Sequence, residues 1–187
     1  MNLLIAYNSR FKTIIIKISN KQRTSIVENE DMTLIYSGSE LIGINVLNVE
    51  LDNKISRKEL EMIALDKISH VLDVQQINKE PQFIVVEVIE CEKIPDTHLS
   101  LCQVKTGKEI IQIVCGASNV KAGMKTILAK VGSWMPNGLF IEQGKLRGHD
   151  SFGMLCSAKE LNLDKFNEKG IIELSRFTKI GKSLWEL

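Results

Sequence analysis

Residues 145–161 read KLRGHDSFGMLCSAKEL, and this stretch decides how the second half of the chain folds. Lys145 and Arg147 occupy alternate positions, so an extended segment would project both cations from one face. Leu146, between them, would then point to the opposite face. The pattern predicts a short strand with a cationic side.

Two glycines and a capping pair divide the rest of this stretch. Gly148 and Gly153 interrupt it where a side chain would restrict the backbone or block a close approach by another group. Ser157 precedes Glu160 by three residues, the spacing at which a hydroxyl and a carboxylate satisfy each other's free backbone amides as a helix begins. The stretch therefore predicts a strand, a glycine-framed bend and a capped helical turn.

These residues closely resemble the pattern K-L-R-G-x-x-S-x-G-M-L-C-S-x-x-E-L of the tRNA-binding domain found near the N-terminus of the bacterial phenylalanyl-tRNA synthetase beta subunit. Ile113–Gly123, which reads IVCGASNVKAG, is similar to the I-V-C-G-A-x-N-x-x-x-G of the same family. Gly170–Leu174 and Gly181 resemble its closing segment. The resemblance extends over residues 83–187, and the layout looks most like free-standing tRNA-binding proteins of the YtpR type.

The resemblance implies a set of RNA contacts. The candidate RNA-binding residues are Asn119, Lys121, Lys145, Arg147, Ser151, Met154 and Ser157. The cations would neutralise phosphates, the polar side chains would form hydrogen bonds, and the methionine would give an adaptable apolar contact. Maintenance of the fold is the alternative role for these residues. A further four residues are assigned to structure: Gly116, Leu146, Gly148 and Gly153.

The chain departs from the family pattern at two places. Residues 94–99 read IPDTHL where relatives commonly carry H-P-x-A-D-x-L, so this loop is one residue shorter and lacks the histidine. Phe152 stands where relatives often carry glutamate or another polar residue. That exchange either removes a repulsive charge or supplies a surface for a base or ribose.

Residues 1–80 predict a small N-terminal α+β domain that supports the rest or binds a partner. Four β-branched and apolar runs predict an antiparallel meander: Leu3–Ala6, Thr13–Ile18, Thr33–Tyr36 and Leu41–Val46. Ser56 and Glu59 form a capping pair before an apolar stripe, which predicts a helix over Arg57–Leu72. The polar segment around Pro81 marks the domain boundary.

Residues 81–187 predict a second domain, a small barrel. Five strands are predicted, at 83–90, 99–105, 110–115, 124–131 and 138–142, with one short helix late in the sequence. The first strand is apolar on both faces where it begins. A five-stranded OB fold is the simplest choice, although periodicity alone equally allows an SH3-like barrel. The predicted fold class is therefore mainly β with α.

Composition excludes several classes of protein. The chain has 187 residues and a net charge of +1, with no apolar run long enough for a membrane span and no secretory pattern at its start, so we expect a cytoplasmic protein. Residues 93–147 carry eight cations against three acids, which indicates a positive face for phosphates or a solvated surface with acids nearby. The widely spaced cysteines predict reduced structural thiols, without a metal site or cofactor: Cys91, Cys102, Cys115 and Cys156.

The predicted function is non-catalytic binding of tRNA, which the family resemblance implies and the cationic segment 93–147 supports. A nucleotide-binding glycine loop is absent from the sequence, and the first half shows no recognisable catalytic pattern. Trp134 lies among apolar residues and is predicted to be core, with base stacking as the lesser alternative. A protein-assembly module that docks a synthetase or another partner is a second hypothesis. A general binder of single-stranded nucleic acid is a third. The oligomeric state stays open, a homodimer included.

Overall fold

The computed structural model of the protein describes residues 1–52 and 54–187. These residues form two compact units, Met1–Lys79 and Glu80–Leu187. The regular secondary structure of both units is mainly β-strand, and the described residues contain one α-helix, α1, in the first unit. The fold is therefore mainly β. Within the described ranges, no helix has the length and apolar character that crossing a membrane requires.

The first unit is a five-stranded antiparallel sheet. Its elements are β1 Leu4–Asn8, β2 Thr13–Lys17, β3 Ser25–Glu28, β4 Met32–Ser37, β5 Glu40–Val46 and α1 Arg57–Ile68. The strand order is β1-β2-β5-β4-β3, so the predicted meander is wrong. The last strand lies in the middle of the sheet, where its residues Ile42, Ile44 and Val46 are at most 5% exposed.

Strand β3 was not predicted, and all four of its residues are exposed at the edge of the sheet. An edge strand without a buried side chain leaves almost no apolar pattern in the sequence. With five strands and a single helix of 12 residues, the first unit is sheet-rich, and the predicted α+β character is not clear in it.

The helix begins where the capping pair predicted. The Ser56 hydroxyl accepts from the Glu59 amide, and the Glu59 carboxylate accepts from the Ser56 amide. Leu60 and Ala64 are buried against the sheet, together with Ile68. The helix ends at Ile68 rather than at Leu72, because a serine hydroxyl at its end bonds back to a carbonyl in the last turn, an alternative to a further turn of helix.

The second unit is a nearly closed five-stranded barrel with a small hairpin attached. Its strands are β6 Phe83–Lys93, β7 Ser100–Lys105, β8 Ile110–Cys115, β9 Lys125–Lys130, β10 Gly144–Leu146, β11 His149–Ser151 and β12 Gly153–Leu155. The sheet order is β12-β9-β6-β7-β8, and all of these pairs are antiparallel. The Phe152 amide donates to the Gln112 carbonyl at 2.9 Å. Because Phe152 directly precedes β12 and Gln112 lies in β8, this bond links the two edges of the sheet, and the barrel is nearly closed.

Strand β6 is apolar on both faces where it begins, as predicted. It pairs with β9 through its first half and with β7 through its second, and the register shifts near Val88. Ile84 and Val86 face one apolar cluster, while Phe83 and Val85 face another. One long, two-sided strand therefore connects the barrel interior to the packing layer outside it.

The predicted strand at Gly138–Glu142 is wrong. The Gly138 amide donates to the Met135 carbonyl at 2.9 Å, and the Leu139 carbonyl accepts from the Met135 amide at 2.8 Å, so residues 135–139 form a tight turn. The residues after it pair back through an isolated bridge between Trp134 and Phe140 and do not join the barrel sheet. Trp134 and Met135 are 2% and 1% exposed, which confirms the tryptophan as core. The fifth barrel strand is β12, which lies farther along the chain.

We expect residues 80–187 to fold without the first unit. The five strands and their two apolar clusters lie within this range, and Glu80 forms ion pairs with Lys108 and Lys130. Thermal unfolding of the fragment, followed by tryptophan fluorescence, should give one cooperative transition. A fragment without a cooperative transition would show that the barrel needs the first unit.

Candidate nucleic-acid interface

Strands β10 and β11 form a hairpin whose two-residue turn is Arg147-Gly148. Leu146 pairs with His149, and the turn residues have φ of +50° and +87°. Positive φ at both central residues is the geometry of a type I′ turn, whose twist matches that of the two strands. The predicted alternation of Lys145 and Arg147 along one strand is therefore wrong. Lys145 lies in β10, whereas Arg147 lies at the tip, and both are exposed.

The hairpin has no core of its own. Leu146, which the sequence analysis assigned to structure and to the face away from the cations, is 43% exposed. A two-stranded ribbon buries little on either face, so an apolar residue in it stays accessible. The exposure of Leu146 does not support a packing role for its side chain, and the hairpin presents an apolar residue next to Arg147 in the sequence.

Hydrogen bonds fix the hairpin against the third barrel strand, β8. The Gln112 side-chain amide donates to the Asp150 carbonyl at 2.7 Å. The Ser151 hydroxyl accepts from the Val114 amide at 3.1 Å and donates to the Gly153 carbonyl at 3.2 Å. Ser151 is 4% exposed, so its hydroxyl is occupied inside the protein. The structure thus gives Ser151 a place in holding the hairpin rather than on the surface.

Beside the hairpin lies the outward surface of two barrel strands, which we call the β7–β8 face. Alternate residues of both strands are buried in the barrel, so the residues between them point outward. The β7–β8 face consists of the cross-strand pairs Leu101–Val114, Gln103–Gln112 and Lys105–Ile110. Gln112 belongs to this face and also holds the hairpin. The face and the cationic tip are therefore parts of one continuous surface.

Asn119 holds the closing segment of the barrel unit. Its Nδ2 donates to the Ile171 carbonyl at 2.9 Å and to Glu173 Oε1 at 3.0 Å, and its Oδ1 accepts from the Ile171 amide at 3.0 Å. A Cβ at Gly170 would lie 2.1 Å from that Oδ1. All of these bonds are internal to the protein, and exposed Lys121 follows two residues later in the chain.

Met154 and Ser157 line a shallow groove of about 470 Å³ that also includes Val114 of the β7–β8 face. The Ser157 amide donates to the Glu160 carboxylate at 2.8 Å, and the Ser157 hydroxyl accepts from the Glu160 amide at 3.3 Å. The predicted capping pair is thus formed. The residues after it make a hydrogen-bonded turn rather than the predicted helix. Lys159 also lines this groove, which gives it a cation that the sequence analysis did not single out.

The sequence analysis also missed Gln112, which links the β7–β8 face to the hairpin. A signal was present, because glutamine interrupts the apolar run at 110–115. A polar residue in the middle of a strand that is otherwise apolar indicates either an outward face or a specific hydrogen bond. Gln112 has both roles, since it points outward and donates to the hairpin.

The four cysteines are free thiols, as predicted. Burial raises the pKa of Cys156 to about 12, and burial is also the main cause of raised pKa values at Cys102 and Cys115. The Cys102 thiol lies 3.4 Å from the sulfur of Cys91 on the neighbouring strand. Thiols with raised pKa values carry little thiolate at neutral pH and are poor nucleophiles. Their position in the barrel core agrees with a packing role.

Comparison with known proteins identifies the family. Residues 83–183 match the family profile described as "Putative tRNA binding domain", a range that includes the whole barrel, the hairpin and the β7–β8 face. The chain belongs to this tRNA-binding domain family. A Bacillus subtilis relative, "Putative tRNA-binding protein YtpR", is 36% identical over 177 residues, covering 87% of this chain and 88% of its own.

Other relatives are longer than the part that they share with this chain. The Mycoplasma pneumoniae MG449 homolog is 48% identical over 124 residues, covering 65% of this chain and 53% of its own length. The phenylalanine–tRNA ligase beta subunit of Wolbachia sp. subsp. Brugia malayi is 44% identical over 141 residues, covering 72% of this chain and 18% of its own. The chain thus spans about half the length of the mycoplasma protein and a smaller part of the ligase subunit.

Proposed function

We propose that this chain is a non-catalytic tRNA-binding protein that holds structured RNA through phosphate contacts on the barrel unit. The observation that carries the proposal is the anchored hairpin, which presents Lys145 and Arg147 to solvent inside a tRNA-binding domain. A guanidinium on a rigid turn can bind a phosphate with two parallel hydrogen bonds. The hydrogen bonds that hold the hairpin define the position of the backbone from which this guanidinium extends.

The topology of the barrel supports an OB fold. Counting the barrel strands in chain order, the first lies between the second and the fourth, the fifth pairs with the fourth, and the third approaches the fifth. OB folds bind oligonucleotides on the surface of strands two and three and on the loops after strands one and four. The β7–β8 face comprises strands two and three, and the hairpin lies between strands four and five. The two candidate surfaces therefore coincide with the binding surface of this fold.

The cationic side chains of the candidate interface are available for phosphate binding. Among the ion pairs of the described residues, none involves Lys121, Lys145 or Arg147. Binding a phosphate would therefore not require breaking an existing pair. Each contact would release a condensed counterion, which is the main source of electrostatic affinity for nucleic acids. The charges, rather than base-specific hydrogen bonds, would then dominate the affinity.

We further propose that Asn119, Ser151 and Ser157 act by positioning, while Lys121, Lys145, Arg147 and Met154 meet the RNA. The internal hydrogen bonds of Asn119, Ser151 and Ser157 support this division. The action takes place in the cytoplasm, where tRNA is the partner. A synthetase or a second copy of this chain would be an additional partner, with the first unit as the docking module. Co-purification with and without RNase separates these ideas, since a protein partner that persists after RNase does not depend on RNA.

We expect the affinity for tRNA to fall steeply as salt rises, because the candidate surface has cations and few aromatic side chains. Filter-binding titrations from about 50 to 200 mM salt should give a linear decrease of log affinity with log salt. Titrations with duplex RNA and with single strands of equal length serve as comparisons, and tRNA should bind more tightly than either. A nearly flat salt response would contradict phosphate binding, and equal affinity for all three would indicate a general nucleic-acid binder.

A further inference from the structure

A groove of about 880 Å³ includes Phe152, whose amide forms the bond that links the two edges of the barrel sheet. We call it the seam groove. Its apolar floor consists of Ile84, Ile111 and Leu128, which come from three barrel strands, and Phe152 lies at the junction of its two edge strands. A volume of this size is in the range of pockets that hold a small organic ligand. The seam groove is therefore a concave, apolar binding surface rather than a flat one.

Phe152 gives the seam groove an accessible aromatic ring. Its amide is bonded to the Gln112 carbonyl, while its side chain lines the groove and the residue stays 37% exposed. The hydrogen bond holds the backbone of Phe152 in place, and the residue remains partly exposed to solvent. Such a ring is suited to stacking with a planar group. Base stacking on such rings contributes strongly to the binding of single-stranded nucleic acids and tolerates every base.

The seam groove also carries cations at its rim. Four lysines line it, against three glutamates: Lys108, Lys130, Lys179 and Lys182, with Glu80, Glu109 and Glu186. Lys108 and Lys130 converge on the single carboxylate of Glu80, at 2.7 and 3.3 Å. Two ammonium groups directed at one anion form a site that a phosphate could take over, because exposed ion pairs of this kind are weak. The rim therefore complements an anionic ligand.

The seam groove is continuous with the proposed RNA surface. Gln112 accepts from the Phe152 amide through its carbonyl and donates to the hairpin through its side chain. An RNA held at the hairpin would consequently pass close to the seam groove. This continuity and the cationic rim favour a nucleotide over a protein segment as the occupant.

We propose that the seam groove binds an unpaired nucleotide of the RNA, with its base stacked on Phe152 and its phosphate between Lys108 and Lys130. The proposal rests on the proposed function, since the same RNA would contact the hairpin. It assigns Phe152 a binding role that phosphate recognition alone does not require. It also makes the carboxylate of Glu80 a competitor for the phosphate.

The test is fluorescence anisotropy of the full chain with a labelled single-stranded RNA hexamer and with the same hexamer made abasic. Phe152→Ala should weaken binding of the normal hexamer by about ten-fold, which is typical of losing one stacked base. Phe152→Tyr, which keeps the ring, should bind like the parent protein. Glu80→Gln should bind more tightly, because it removes the competing carboxylate. The abasic hexamer should bind Phe152→Ala and the parent protein equally.

Phe177→Ala is the matched control, since Phe177 is 82% exposed and lies outside the seam groove. Three results would overturn the stacking site. The first is a loss of hexamer affinity that is no larger for Phe152→Ala than for Phe177→Ala, and the second is an equal loss of affinity with the abasic hexamer. The third is no binding of the hexamer by the parent protein. If tRNA binding persists in those cases, the proposed function still holds and only the stacking site is refuted. Absence of tRNA binding by the parent protein would refute both the proposed function and the stacking site. A protein partner that resists RNase and is lost in Phe152→Ala, with RNA binding unchanged, would assign the seam groove to protein.

Discussion

Replacing Gly153 with alanine should destabilise the barrel unit by about 3 kcal/mol, since two independent penalties coincide there. The backbone has a φ of +135°, which side-chain-bearing residues rarely adopt. A Cβ would also lie 2.7 Å from the Ala129 carbonyl oxygen and 2.9 Å from a Leu128 methyl group. The carbonyl belongs to strand β9, which is paired on both sides and cannot withdraw without breaking the sheet.

The measurement is thermal unfolding followed by tryptophan fluorescence, because both tryptophans of the chain lie in the barrel unit. The midpoint should fall by roughly 12–24 °C for a unit of this size. Gly123→Ala is the control, since its φ is +80° but no atom lies within 4 Å of the added Cβ. It should cost only about 1 kcal/mol of backbone strain. Equal losses in the two variants would show that the close approach of β12 to β9 is unimportant.

The double variant Lys145→Ala, Arg147→Asn should bind tRNA at least about ten-fold more weakly than the parent protein, because it loses two charge-assisted phosphate contacts. The slope of log affinity against log salt should decrease by roughly the contribution of two phosphates. Asparagine is the appropriate replacement at the tip, since Arg147 has a φ of +50° and asparagine adopts that conformation readily. The hairpin therefore keeps its turn while it loses its charge.

Lys165→Ala, Lys169→Ala is the matched control for this experiment. Both lysines are exposed in a loop of the same unit, so the charge removed is the same. Filter binding should give near-parental affinity for the control, and both double variants should melt like the parent protein, because exposed cations contribute little to stability. Equal weakening by the two double variants would reduce the effect to general electrostatics and would remove the hairpin as the site.

Much of the barrel could be predicted because its signals are local. The hairpin of β7 and β8 and the start of β6 followed from apolar periodicity, and the bonds at Ser56 and Ser157 followed from a spacing of three residues. Each of these depends on sterics or hydrogen bonds within a few residues. Neighbouring residues therefore determine them almost independently of the rest of the chain.

The candidate site was only partly predictable for the same reason. Sequence resemblance selected Asn119 and Ser151 without saying what they contact. Asn119 bonds to residues more than fifty positions away, and Ser151 bonds to β8, a strand 37 positions earlier in the chain. Whether a polar side chain serves RNA or the protein itself depends on such distant partners. Burial and hydrogen-bond geometry are the observations that support the proposed division between the two roles.

The sequence by itself determined the mainly β character, the capped turns, the buried Trp134 and the family motif that contains the cations. Only the tertiary structure decided that β5 lies in the middle of its sheet, that β12 rather than residues 138–142 completes the barrel, and that the chain reverses at Arg147. These outcomes depend on which strands pair across long separations. Pairing is selected by the burial of a whole apolar face and by backbone hydrogen bonds between distant segments, and neither quantity is a property of any short stretch of residues.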